Sequence, residues 1–63
     1  MIKKENKKEL EQQFVESLKK YLNNDDEDAL EDAMFAANLL VAKRYYKPMS
    51  CRDLYKEITG ENI

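Results

Sequence analysis

A chain of 63 residues with 43% apolar and 38% charged side chains, one glycine and one proline has the balance of a compact helical protein rather than a disordered tail. At this length it makes one domain, residues 1–63, that buries only ~60% of the surface its unfolded chain exposes, so association with something else would help it. The net charge of −2 gives no broad electrostatic pull toward nucleic acid or anionic lipid, and the lack of any histidine removes the usual general base and the commonest metal ligand.

The run Lys3 to Lys8 (KKENKK) reads as a solvated start that keeps this end soluble. From Glu9 to Leu22 the apolar residues Leu10, Phe14, Val15, Leu18, Tyr21 and Leu22 fall at helical spacing on one arc, which predicts a first helix over Lys4 to Leu22. Glu16 and Lys20 stand at i and i+4 in the favourable order. Asn23-Asn24-Asp25-Asp26 then breaks the helix, because these side chains compete for backbone hydrogen bonds and favour turns and caps. Asn24 or Asp25 is the expected cap of the next helix.

The stretch Asp28 to Tyr46 (DALEDAMFAANLLVAKRYY) carries the strongest signal, and a long central helix is predicted over Asp26 to Tyr46. At about 100° per residue, Leu30, Ala33, Met34, Ala37, Leu40 and Val41 form one stripe, suited to the core of the same chain. Phe35, Leu39, Ala42 and Tyr46 form a second, centred roughly 170° from the first. A helix apolar on two opposed faces is usually buried between two layers, and so short a chain is poorly placed to supply both. These four residues are therefore the expected interface, either with a second copy or with a foreign protein.

The acidic run at the start of this helix comprises Asp25, Asp26, Glu27, Asp28, Glu31 and Asp32; its first four set negative charge against the positive end of the helix dipole, and Lys43, Arg44 and Lys47 answer at the other end. A calcium loop fails on spacing. With Asn24, Asp26 and Asp28 at positions one, three and five, Ala29 stands where glycine is required and Phe35 where the glutamate is required. The same six acids make a candidate contact patch for a basic surface on another molecule.

Tyr46-Lys47-Pro48 closes the central helix, since a residue before proline is pushed out of helical geometry. Ser50 reads as the cap of a third helix over Cys51 to Thr59, with Met49 placed as a hydrophobic staple on Leu54 and Gly60 as the stop. Cys51, Leu54, Tyr55 and Ile58 share its apolar arc.

No catalytic motif is present, and no cofactor, metal or small-molecule substrate is expected. Cys51 lies near a helix start beside Arg52, a setting that can activate a thiol, but a small core residue is the simpler role. Arg52, Tyr55 and Lys56 on the third helix allow a helix-turn-helix reading as DNA binder, against which stand Asp53 and Glu57 on the same helix and the absence of a further recognition helix. With no apolar opening run or membrane-length segment, the chain is expected to be cytoplasmic, and its Lys, Glu, Asn and Ile usage hints at an AT-rich bacterial or phage genome. In size and helical-hairpin architecture it is similar to small plasmid RNA-binding four-helix-bundle dimers, a pattern from which Pro48 and the third helix depart. The expectation is an all-α three-helix domain with a long central helix, forming a helical-bundle homodimer and serving as a regulator, adaptor or inhibitor on the surface of a larger host or phage protein.

Overall fold

Leu10, Phe14 and Leu18 recur every fourth residue, which keeps them on one slowly drifting line along a helix, and all three are buried. They belong to α1 (Lys7–Asn24), the first of three helices in the computed structural model, which describes residues 7–62. The others are α2 (Glu27–Ala42) and α3 (Cys51–Thr59), and there is no strand among the described residues. The expected helix start at Lys4, with Lys3 to Asn6 of the charge run, lies outside those residues. Glu16 accepts a hydrogen bond from Gln12 Nε2 at 3.1 Å, one turn before it rather than after it at Lys20.

The α1–α2 turn is made by two aspartates with different tasks. Asp25 takes the left-handed conformation (φ 56°) while its backbone N–H still donates to the Tyr21 carbonyl at 2.7 Å, the single closing bond of a left-handed turn that stops α1. Asp26 is then the first residue free to cap, and its carboxylate accepts from the N–H groups of Asp28 (3.0 Å) and Ala29 (3.3 Å). The cap thus falls on Asp26 rather than on Asn24 or Asp25, because Asp25 is used to end the preceding helix. So short a link folds α2 back along α1 as an antiparallel hairpin.

The buried face of α2 is Ala29, Ala33, Ala36 and Leu40, steps of four, three and four. Its centre lies about 70° round the helix from the inner stripe expected from the sequence. Met34, expected inside, is 48% exposed, whereas Ala36 is fully buried. The reason is size. The large side chains of α1 (Leu10, Phe14, Leu18) share one core with the small Ala33 and Ala36, and a row of alanines lets two helices approach closely enough for those large groups to fill the space between them.

At 16 residues α2 is shorter than the 18-residue α1, and it ends at Ala42, four residues before Tyr46. The stop is a Schellman turn. The N–H of Arg44 bonds to the Val41 carbonyl (2.9 Å) and that of Tyr45 to the Leu40 carbonyl (3.0 Å), with Arg44 left-handed at φ 66°. That position usually holds glycine, and an arginine there carries an unfavourable term of about 1 kcal/mol. Pro48 therefore lies in the link rather than at the helix end.

α3 is built as its sequence predicts. Ser50 Oγ accepts from the Asp53 N–H at 3.2 Å, and Gly60 at φ 79° returns its N–H to the Lys56 carbonyl at 2.7 Å. Leu54 and Tyr55 complete the core begun by α1 and α2, with Met49, Cys51 and Ile58 half-buried around them.

Candidate protein-interaction surface

The core takes one side of α2 and leaves its opposite side to water. Along that outward side, at helical spacing, stand Glu27, Glu31, Met34, Phe35, Asn38 and Ala42, all exposed. Phe35 is 59% exposed and Met34 48%, two large apolar residues consecutive in the chain that stand about 100° apart, one at each border of the outward side. Scattered apolar residues are normal on a surface, but a consecutive pair on a helix already buried on its other face is a candidate contact site.

The four residues proposed from the sequence as an interface do not share one surface. Phe35 and Ala42 lie on the outward side, while Leu39 and Tyr46 are half-buried against the core. Leu39 follows the rotation of α2, which brings it to the flank of the buried face. Tyr46 is not on α2 at all, because the Schellman turn redirects the chain before it. Met34 and Asn38 stand in their place on the outward side. Met34 is expected inside from the sequence, and its exposure follows from the choice of buried face, which depends on how the hairpin closes.

Tyr46 instead reaches the start of α1. Its hydroxyl donates to Glu11 Oε2, the Lys7 ammonium lies 5.2 Å from the centre of its ring, and Lys7 Nζ is 4.0 Å from Glu11 Oε2. The Tyr46 hydroxyl pKa is pushed up to about 12, first by burial, then by the hydrogen bond to Glu11 and by the negative charges of Glu11 and Glu57. This small cluster ties the α2–α3 link to α1 across 35 residues of chain, and no local pattern announces it.

The acidic run is divided rather than pooled. Asp26 is spent on the cap and Asp25 on the turn, Asp28 and Asp32 line a shallow groove with Glu16, Ser17 and Lys20 of α1, and Glu27 and Glu31 continue the outward side of α2. Among the described residues, no group of three or more Cys, Asp or Glu side chains is arranged to hold a metal ion. Cys51 is half-buried and burial raises its thiol pKa, which disfavours the reactive thiolate despite the neighbouring Arg52. On α3, Arg52 and Lys56 are exposed, but so are Asp53 and Glu57. No helix among the described residues is long and apolar enough to cross a membrane. No protein-family model matches the chain, and neither does any curated protein or solved structure.

Proposed function

We propose that this chain is a non-enzymatic helical interaction module that acts through the outward side of α2, as a regulator, adaptor or inhibitor occupying a surface of another protein. The observation that carries this reading is the exposure of Phe35 and Met34, which border the outward side of a helix that buries its opposite face completely at Ala33, Ala36 and Leu40. Aromatic and methionine side chains are enriched at the centres of protein interfaces, where their large apolar areas leave water together. Glu27 and Glu31 would form a polar rim to this centre and favour a partner with basic residues beside an apolar pocket.

The helix-turn-helix alternative has less support. The link from α2 to α3 spans residues 43–50, whereas that motif joins its helices with a turn of about 3–4 residues. The exposed acids of α3 would also face the phosphates alongside Arg52 and Lys56.

A photo-crosslinking side chain at position 35, compared with one at the exposed Gln13 of α1, tests the proposal in the native cell. Adducts formed from position 35 but not from position 13 are the expected result. Equal trapping at both, or none at 35, would count against the α2 surface.

A further inference from the structure

The net charge of −2 conceals a division that the hairpin makes in space. Residues 25–32 hold six acids and no base, whereas residues 33–52 hold four bases and no acid. Because α2 runs back along α1, Asp25, Asp26, Glu27 and Asp28 lie at one end of the hairpin and the link residues Lys43, Arg44 and Lys47 at the other. The 16 residues of α2, about 24 Å, separate them. At a screening length of about 8 Å in physiological salt, the acidic end does little to cancel the field of the basic one.

Tyr46 brings further cations to the basic end. The Lys7 ammonium lies 5.2 Å from the centre of its ring and its hydroxyl donates to Glu11, so the link is held against the first turns of α1, where Lys7 and Lys8 are exposed. Glu11 is taken up by Tyr46 and Lys7, Glu9 is half-buried, and Glu57 of α3 is the other acid whose charge reaches Tyr46. Lys8, Lys43, Arg44 and Lys47 form no ion pair among the described residues. Between those cations stands Tyr45, a large ring that is 40% exposed and takes no part in the core.

We infer that this end of the hairpin is a binding site for single-stranded nucleic acid, in which Lys43, Arg44 and Lys47 meet phosphates and Tyr45 stacks on an unpaired base. A basic track bearing an exposed aromatic ring is the common means of holding a single strand without reading its sequence. Duplex DNA keeps its base faces stacked away from Tyr45. An anionic membrane is held best by an amphipathic helix, and residues 43–50 are not helical.

Arg44 supports the same reading from a different direction. It occupies the left-handed position of the Schellman turn (φ 66°), where glycine is less strained, so the turn itself gives no reason for a large side chain. The helix dipole favours a cation near the end of α2, but Lys43 would supply one with glycine at 44. A guanidinium, by contrast, suits both phosphate oxygens and the face of a base.

Fluorescence anisotropy of the full chain with fluorescein-labelled oligo(dT) and oligo(U) tests the site, and binding of both is expected. With about three phosphates neutralised, affinity should fall roughly 20-fold between about 50 and 200 mM salt. Tyr45→Ala should weaken binding by about 5-fold or more, and Tyr45→Phe should restore it. Arg44→Gly should flatten the salt dependence while melting no lower than wild type, a pair of effects that a purely structural role does not give. Lys19→Ala combined with Lys20→Ala, about 18 Å along α1 from Lys7, should leave binding nearly unchanged. Absence of binding at ~100 μM protein and about 50 mM salt, or equal losses from that double variant and from Arg44→Gly, would overturn the site. Duplex DNA bound as tightly as the single strands, or phosphatidylglycerol vesicles bound in place of them, would overturn the occupant. Crosslinking from position 35 reads the α2 surface separately, so the two proposals stand or fall apart.

Discussion

Leu40 and Met34 are both apolar, both on α2, and both expected on one stripe from the sequence, yet the fold separates them. Leu40 is fully buried in one cluster with Leu10, Phe14 and Leu54, whereas Met34 is 48% exposed. Leu40→Ala removes its branched end from a site bordered by Ala33 and Ala36, which have little side chain with which to close the cavity. A loss of ~2–5 kcal/mol is typical of such truncations, out of a total of ~3–9 kcal/mol for a domain of this length. At about 4–8 °C per kcal/mol, a loss of about 3 kcal/mol lowers the melting temperature by ~12–24 °C. Met34→Ala deletes a side chain that already faces water, and its cost should stay near ~0.5 kcal/mol. Thermal melts followed by circular dichroism at low protein concentration measure both. Comparable losses for the two variants, or a larger loss for Met34→Ala, would mean that α2 turns a different face to the core, and the interaction surface would fall with it.

Asp26→Ala should destabilise by about 1 kcal/mol through loss of the two capping bonds, while Asn24→Ala should be nearly neutral; equal effects in urea titrations would place the cap elsewhere. In an ultraviolet pH titration, one of the four tyrosines should ionise near pH 12, and Tyr46→Phe should remove that step. Because the folded hydroxyl pKa lies above the unfolded value of 10.0, the stability it contributes is present in full below pH 10 and is lost as the pH rises toward about 12. Wild type should therefore lose stability faster than Tyr46→Phe across that window.

The parts of the fold that were legible in the sequence are those decided within a few residues. The α3 boundaries follow from Ser50 and Gly60, and the buried line of α1 follows from the spacing of Leu10, Phe14 and Leu18. The errors lie where the decision was made elsewhere in the chain. The end of α2 was hidden because its left-handed residue is Arg44 rather than a glycine, so the helical pattern appeared to run on to Tyr46. The cap moved by one residue because Asp25 and Asp26, alike in composition, divide two conformations between them. The buried face of α2 was misplaced because weighting by hydrophobicity favours Met34 over Ala29 and Ala36, whereas the close-packed hairpin favours small side chains. Of the candidate surface, Phe35 and Ala42 could be found from spacing alone; Met34 could not.

That last error bears on function. On α2 the usual relation of size to burial is reversed: three alanines and one leucine are inside, while methionine and phenylalanine are outside. For an isolated domain this is an inefficient arrangement, since each wet apolar side chain forgoes stabilisation of roughly 25 cal/mol per Å² that burial would provide, and a domain of this length has little to spare. The large groups have no place inside, because the alanine row brings α1 and α2 too close together to admit them. The same narrow hairpin that defines the core therefore directs Met34 and Phe35 outward. A partner that covered them would supply a second layer and stabilise the fold by mass action, so that folding and the proposed association would draw on opposite faces of one helix.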